Sequence, residues 1–296
     1  MTPKFTTGAD LFGSWFADVE RGDPPVRFNL PDPFAALDVR PGRMILLGGA
    51  PGGGKTAALL QVGIDLLRVN ATARLLVANV EMVPALLVER IAARLSGVPL
   101  TAIQDRTLSA NQLDLVRAAV EAIAPIADRL AFLNAPYSLE HVAAAGSKFG
   151  ANVMILDYIQ RFAVGDGSKD KREQLETAVT VLRRFCDAGA AVLVAAAVAR
   201  QKNAGGSTYR GLSLASFRGS SELEYGTDAA YMFNPGDDGT ITLTCEKNRY
   251  AAVADITTAF DPITQTFTVA PPLPCGLGGF DASTPARPRG NNPKRG

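Results

Sequence analysis

One short stretch constrains the fold of this chain more than any other, because it matches the phosphate-loop pattern G-x-x-x-x-G-K-[ST] in full. It consists of Gly49, Ala50, Pro51, Gly52, Gly53, Gly54, Lys55 and Thr56. The apolar run 44–47 before it has the length of a buried strand, and Ala57 opens a segment with the composition of a helix. Loop N–H groups and a helix N-terminus both attract anions, so strand, loop and helix stand in the order that suits phosphate binding. A chance match in a glycine-rich turn is the alternative, and the flanking segments disfavour it.

The motif predicts a site for a nucleoside triphosphate and Mg²⁺ over residues 49–57. Lys55 is expected to reach the outer phosphates, and Thr56 to offer its hydroxyl to the ion. A second apolar run, residues 153–156, ends at Asp157. This is the Walker B pattern, in which the aspartate holds Mg²⁺ opposite the threonine.

A second buried strand is predicted at residues 74–80, and it ends at another acid, Glu81. The C-terminal tips of core strands are where α/β proteins handle ligands, so this carboxylate is a candidate general base that orients the water attacking the γ-phosphate. The other interpretation is an N-cap or a surface charge on the following helix, residues 84–95. The residues alone narrowly favour the second interpretation.

Strand and helix patterns alternate along most of the chain, which predicts an α/β fold with a mostly parallel central sheet flanked by helices. C-terminal β-hairpins are predicted from strands at about 229–233, 240–246, 254–260 and 266–270. We expect three regions, an N-terminal helix and linker at 1–42, an ATPase domain at 43–270, and a disordered tail rich in Pro, Gly and Arg at 271–296. A helical pattern at 101–129 carries an apolar stripe that we expect in the core, formed by Leu108, Leu113, Val116, Val120 and Ile123.

Residues 7–21 predict a short amphipathic helix. Thr7 and Asp10 have the spacing of a capping box. Large apolar side chains share one face of this helix, namely Leu11, Phe12, Trp15, Phe16 and Val19. The residues leave open whether this face packs on its own domain or on a neighbouring subunit. The proline-rich residues 22–42 predict a linker into the first strand.

Composition excludes several classes of site. The formal net charge is +1, so any contact with nucleic acid has to come from local loops or from an assembly that concentrates charge. One histidine and three widely spaced cysteines, Cys186, Cys245 and Cys275, argue against a metal cluster, a disulfide framework and a Ser-His-Asp triad. The start of the chain lacks a signal-peptide core and no apolar run is long enough to span a bilayer, so we expect a cytoplasmic protein without a membrane partner.

Two basic, glycine-containing segments follow the predicted strands at 153–157 and 191–197, on the side of the sheet expected to hold the nucleotide. Their candidate DNA-binding residues are Arg161, Lys169, Lys171 and Arg172 in the first segment, and Arg200, Lys202, Tyr209 and Arg210 in the second. Basic groups suit a phosphate backbone and a tyrosine suits base stacking, so both segments are candidates for contact with single-stranded DNA. Ordinary solvated loops are the alternative, and composition does not separate the two.

Five stretches, taken in order, resemble the C-terminal motor domain of DnaB-type replicative helicases, within the wider RecA-like ATPases. They are residues 49–56, 79–82, 155–160, 217–225 and 246–250. The Asp-Tyr-Ile-Gln run after the Walker B strand and the late Lys-Asn-Arg run are narrower signals than the phosphate loop. The resemblance covers roughly residues 5–270. It implies a RecA-like P-loop NTPase core, ATP and Mg²⁺ as cofactors, and a homo-oligomeric ring, expected to be a hexamer, that moves on single-stranded DNA.

The resemblance also implies roles within one subunit. Lys55 and Thr56 would contact phosphates and Mg²⁺, Asp157 would hold the metal, and Glu81 would be the catalytic carboxylate.

Other implied roles concern the neighbouring subunit. Lys247 and Arg249 match residues that reach the nucleotide of the adjacent subunit, with Arg249 as an arginine finger. The family places a helix like 7–21 on the neighbouring protomer. By the same resemblance, the loops at 162–172 and 200–216 would line the central channel.

Two departures from the family pattern keep another function open. The family has a Ser-Gln pair where this chain has Ala196 and Ala197, which puts the coupling of hydrolysis to movement in doubt. Only about forty residues precede the core, so no N-terminal primase-interacting domain is expected. The alternative to a helicase is a RecA-like ATPase that acts as a nucleotide-switched loader or as a recombination or regulatory accessory, and a KaiC-like relative that does not act on DNA is a further possibility.

Overall fold

A nine-stranded sheet runs through the part of the chain that the computed structural model describes, which is residues 6–162, 171–198, 201–203, 206–208, 221–236 and 239–271. The sheet contains β1 (Met44–Gly49), β2 (Leu75–Asn79), β3 (Leu130–Phe132), β4 (Val153–Asp157), β5 (Ala191–Ala197), β8 (Ala229–Pro235), β9 (Thr240–Asn248), β10 (Ile256–Asp261) and β11 (Thr266–Val269). A separate antiparallel hairpin consists of β6 (Gln201–Asn203) and β7 (Gly206–Thr208).

The strand order is β11-β10-β9-β8-β1-β5-β4-β2-β3. The run from β8 to β3 is parallel, whereas β9, β10 and β11 are joined to it and to one another by antiparallel pairs. Parallel strands need helical crossovers, and the helices supply them. The helices are α1 (Gly8–Arg21), α2 (Lys55–Val69), α3 (Pro84–Ser96), α4 (Leu100–Gln104), α5 (Ala110–Ile123), α6 (Leu139–Phe149), α7 (Ile159–Phe162), α8 (Lys171–Asp187) and α9 (Ser221–Gly226). The predicted α/β fold is confirmed.

The core has two layers, one on each face of the sheet. On one face, α2 and α3 pack over alternate residues of the strands, with Leu59 and Ile64 fully buried. On the other face, α6 and α8 cover the remaining strand residues, with Val142 and Leu182 at their centre. Strands covered on both faces are apolar throughout, which is why β1, β2 and β4 stand out as continuous apolar runs in the sequence.

The predicted helix at 101–129 is broken into α4, α5 and a 3₁₀ helix at Ala124–Arg129. Ser109 starts α5 with a capping box to Gln112, so a new helix begins there instead of continuing the previous one. The expected core stripe is also wrong in part, because the Leu113 and Val120 side chains are 48% and 56% exposed.

The segment at 22–42, predicted to be a linker, is partly packed into the core. Phe28, Phe34, Leu37 and Val39 are buried in the same layer as α2. The Phe34 ring lies against Phe267 of β11, with ring centroids 5.6 Å apart. The segment from Phe28 onward therefore contributes to the packed core, and the division of the chain into regions at residue 42 remains a prediction.

Helix α1 has the predicted capping box, in which Thr7 and Asp10 bond reciprocally. None of its residues is buried, and Phe12 is 69% exposed. Its apolar face is therefore uncovered by the described part of its own chain. Within that same part, no helix is long and apolar enough to cross a membrane. The predicted disordered tail lies outside the described residues from 272 onward.

Candidate nucleotide site

Four neighbouring parallel strands end at one edge of the sheet and carry the candidate site. Gly49 at the end of β1 is in register with Ala197 of β5, and Asn79 at the end of β2 is in register with Asp157 of β4. The carboxyl ends of parallel strands meet at a common edge, so residues far apart in the sequence converge there. The phosphate loop and the predicted Walker B aspartate are therefore brought together.

The phosphate loop adopts a backbone conformation that glycine takes readily and other residues do not. Gly54 has φ +84°, and a Cβ on it would stand 2.9 Å from the Phe267 ring, so a side chain there is both strained and obstructed. Lys55 is the first residue of α2, which places the helix N-terminus at the loop. The cavity beside the loop has a volume of about 310 Å³. It is lined by Pro51, Gly52, Gly53, Gly54, Lys55, Thr56, Ala57, Glu81, Met82, Arg90, Asp157, Tyr158, Ala197, Phe260 and Gln265.

Lys55 points its ammonium group into the loop. Its Nζ donates to the carbonyl oxygens of Gly49 at 2.9 Å and Ala50 at 2.7 Å. Burial lowers the pKa of Lys55, while the charges of Asp157 and Glu81 oppose that shift. A partly desolvated cation at the start of a helix attracts phosphate strongly.

Thr56 and Asp157 form the candidate magnesium site. Thr56 Oγ1 donates to Asp157 Oδ2 at 2.5 Å, so the hydroxyl and carboxylate oxygens already lie side by side. Burial raises the pKa of Asp157, and the hydrogen bond from Thr56 and the charge of Lys55 act in the opposite direction. Mg²⁺ takes oxygen ligands of these two kinds together with phosphate oxygens, so the residues fit a Mg²⁺ nucleotide complex.

Glu81 reaches the cavity because Asn79 shapes the turn before it. Asn79 Oδ1 accepts from the backbone N–H of Glu81 at 2.9 Å and of Met82 at 2.8 Å. The N-cap of α3 is Val83, without a side-chain cap, so the N-cap interpretation of Glu81 is wrong. Glu81 is exposed and lines the cavity, so its interpretation as a surface charge is not contradicted. Its role as a general base remains a prediction.

Sequence reasoning did not identify Arg90 and Gln265 as parts of this cavity. Arg90 lies on α3 and donates through Nη1 to Gln265 Oε1, which comes from the turn between β10 and β11. Burial lowers the pKa of Arg90, and the charge of Asp157 opposes it. The only sequence signal for Arg90 is its place along the helix that follows Glu81, and Gln265 has no local signal.

Lys247 and Arg249 lie at the opposite edge of the sheet from the cavity. Lys247 of β9 pairs with Ala230, and the Arg249 N–H donates to the carbonyl oxygen of Asp228, which is level with the start of β1. The six residues of β1 span roughly 17 Å at about 3.3 Å per residue. That length exceeds the reach of an arginine side chain, so these two cations are not brought to their own phosphate loop.

The predicted DNA-binding residues are only partly described. Arg161 is exposed on α7, directly after the Walker B strand. The backbone places Lys171 and Arg172 at the start of α8 and Lys202 in β6. The predicted second loop therefore contains a short hairpin. Lys169, Arg200, Tyr209 and Arg210 lie outside the described residues.

Ala197, at the end of β5, contacts the segment that follows the Walker B strand through its backbone. Gln160 Nε2 donates to the Ala197 carbonyl at 2.9 Å, and the Ala197 N–H donates to Gln160 Oε1 at 3.3 Å. Ala197 lines the cavity, and its methyl side chain has no group that could form a hydrogen bond there. The position at which a departure from the family pattern is expected therefore lines the cavity.

A phosphate loop on one strand tip, an aspartate on another and this strand order define a P-loop protein with a RecA-like core. The model of the DnaB-like helicase C terminal domain matches residues 35–269, and the chain belongs to that family. This match confirms the resemblance found in the sequence.

Solved structures agree on the fold. One that is described as an ATPase domain superposes with a TM-score of 0.78 at 15% identity, covering 90% of this chain and 100% of that one. A structure of a DnaB-like replicative helicase and its interactions with primase gives a TM-score of 0.75 at 15% identity, covering 90% of this chain and 67% of that one. A search of curated protein sequences finds no match.

Proposed function

We propose that this chain is the ATP-hydrolysing motor of a ring-forming DNA helicase of the DnaB type, which works at subunit interfaces and moves on single-stranded DNA. One observation carries the proposal. The nucleotide cavity and the two cations Lys247 and Arg249 lie at opposite edges of one sheet. A second copy, stacked with its Lys247 and Arg249 against this cavity, supplies the two cations that the first copy cannot bring to its own cavity.

Within one subunit, the phosphate loop binds the triphosphate and Lys55 holds its outer phosphates. Thr56 and Asp157 hold Mg²⁺, which offsets the phosphate charge. Glu81 orients the attacking water, and its position in the cavity is fixed through Asn79. Positioning and charge stabilisation are the main requirements of phosphoryl transfer, and these side chains meet them.

Between subunits, Arg249 acts as the arginine finger and Lys247 assists it. A cation supplied across an interface stabilises the transition state only in the assembly, so hydrolysis depends on ring formation. The exposed apolar face of α1 supports assembly, because a face with Phe12, Trp15 and Phe16 uncovered needs a partner surface. We assign that surface to the neighbouring protomer of a hexamer.

The strand of DNA passes along the edge that carries the nucleotide. Arg161, exposed directly after the Walker B strand, supports this placement. The remaining candidate contacts follow β4 and β5 along the chain. Membership of this family favours a role in DNA replication in the cytoplasm.

The proposal is tested by strand displacement. Purified protein with ATP and Mg²⁺ is expected to unwind a forked duplex, and Lys55→Ala is expected to abolish both unwinding and hydrolysis. Arg117→Gln, which removes an exposed cation of α5 that is outside the cavity, is the matched control and should unwind normally. Absence of unwinding despite DNA-stimulated hydrolysis would contradict the proposal that the chain is a helicase motor.

A second candidate function is favoured by Ala197. Without a polar side chain at that strand tip, the γ-phosphate loses a contact that relays its state to the DNA-binding segment. The chain would then be a nucleotide-switched accessory that assembles with ATP and binds DNA without unwinding it. Slow turnover, with little stimulation by DNA, is the result that would select this function.

A further inference from the structure

A single buried carboxylate organises the edge of the sheet that carries Arg249. Asp228 is 1% exposed and precedes β8. Its Oδ2 accepts from the Met44 backbone N–H at 2.9 Å and from Arg183 Nη1 at 2.5 Å, and its Oδ1 accepts from Arg249 Nη1 at 3.1 Å. Asp228 thus joins the start of β1, helix α8 and the end of β9.

The residues around Asp228 hold both cations that the proposed mechanism uses between subunits. The Arg249 N–H donates to the Asp228 carbonyl at 2.8 Å, and Arg249 Nη2 donates to the Tyr225 carbonyl at 3.1 Å. Lys247 Nζ donates to the Thr227 carbonyl at 2.7 Å. These contacts fix the direction of two long side chains that would otherwise sample many rotamers.

The contacts leave Arg249 able to act on a neighbour. Its side chain is 45% exposed, and a guanidinium has five N–H donors, of which only some face Asp228 and Tyr225. Asp228 shares its charge between two arginines, Arg183 and Arg249, and the charge of Asp187 also acts on Arg183. The exposed side of the Arg249 guanidinium therefore stays available to an anion of a neighbouring copy.

We propose that Asp228 is the positioning residue for the intersubunit cation, holding Arg249 in the orientation that meets the phosphates of the adjacent copy. The proposal rests on the proposed function and deepens its intersubunit step. On this proposal, Asp228 affects ATP turnover in the neighbouring subunit. It does not affect the phosphate loop of its own subunit.

The test uses Asp228→Asn, which keeps the shape and an acceptor for the Met44 N–H but removes the charge. We expect kcat to fall at least about tenfold, with the affinity for a non-hydrolysable ATP analogue within about twofold of the unaltered protein. In an Arg249→Ala background the same substitution should cause no further loss, because it acts only through that arginine. A further loss equal to that in the unaltered background would overturn the proposal.

Mixed rings separate positioning from a general structural role. Asp228→Asn subunits keep a working phosphate loop, so mixing them with Lys55→Ala subunits, which keep a working Arg249, should restore hydrolysis. Arg249→Ala mixed with Lys55→Ala is the reference. Restoration in the reference but not with Asp228→Asn overturns the inference alone, whereas full activity of Arg249→Ala by itself overturns the intersubunit step of the proposed function.

A second variant provides the test if Asp228→Asn does not fold. Arg183→Gln removes one of the two hydrogen bonds that hold Asp228 Oδ2, so the carboxylate, and the Arg249 guanidinium bound to it, are held less firmly. We expect a lower kcat that Lys55→Ala subunits restore in the same way. Unchanged kcat in Arg183→Gln, together with a folded chain by circular dichroism, would overturn the positioning role.

Discussion

Asn79 and Asp157, at the ends of adjacent strands, are joined by a side-chain hydrogen bond of 2.9 Å from Asn79 Nδ2 to Asp157 Oδ2. The same asparagine accepts the N–H groups of Glu81 and Met82 through its Oδ1. One buried amide therefore links the candidate metal ligand to the turn that carries the candidate general base. A buried side-chain amide whose oxygen and nitrogen are both hydrogen-bonded holds its partners in place, because leaving either atom unpaired in the interior costs free energy.

Asn79→Ala is expected to lower kcat by roughly 10- to 100-fold while the affinity for a non-hydrolysable ATP analogue changes little. The reason is that Glu81 and Asp157 lose their common support, each bond being worth about 1–3 kcal/mol when a buried partner is left unpaired. Turnover measured across a Mg²⁺ titration checks the prediction and should show a raised Mg²⁺ requirement. Normal turnover at low Mg²⁺ would contradict it.

Arg249→Ala should leave ATP binding intact and reduce hydrolysis by about 10³-fold, as for other arginine fingers. The structure gives the reason in the separation of this residue from its own phosphate loop. The measurement is kcat alongside the analogue affinity at several protein concentrations. A dilute monomer that hydrolyses ATP as fast as the assembled protein would exclude any contribution from a neighbour.

Arg90→Gln is expected to weaken binding of an ATP analogue by roughly 10- to 100-fold and that of ADP much less. Arg90 and Lys55 are the cations among the described residues that line the cavity, and a charge-assisted bond to phosphate is worth about 1.5–3 kcal/mol. The analogue and ADP affinities are measured by calorimetry, with Arg117→Gln as the control. Equal losses of affinity for the ATP analogue and for ADP would mean that Arg90 contacts a part that the two nucleotides share.

The sequence allowed prediction of those parts of the site that depend on contiguous residues. The phosphate loop, the strand ending at Asp157 and the parallel sheet follow from local spacing and apolar runs. Arg90, Gln265 and Asp228 were missed, since their placement depends on which face of a helix or which turn reaches a distant strand. The break before Ser109 was missed for another reason, because the apolar spacing continues across it.

The stability of the fold is expected to fall as the pH rises from about 9 towards 12. Burial raises the pKa of the Cys186 thiol to about 12, and burial also raises the pKa of Tyr231. The unfolded chain then releases protons that the folded chain retains, so the free energy of unfolding declines by up to about 1.4 kcal/mol per pH unit for each group. Urea unfolding between pH 8 and 11 measures the slope. Cys186→Ala should reduce that slope, and an unchanged slope would contradict the assignment.

Trp15 provides a direct test of what covers α1, because it is the single tryptophan of the chain and is 58% exposed. If the apolar face packs on a neighbouring subunit, its fluorescence should shift to the blue as protein concentration rises with ATP present. Phe16→Glu places a charge on that face and should abolish both the shift and assembly measured by light scattering. Gly13→Glu adds the same charge to the same helix where a Cβ meets nothing within 4 Å, and should assemble normally. Assembly without any shift of Trp15 would mean that α1 stays exposed and that the ring is held together by other surfaces.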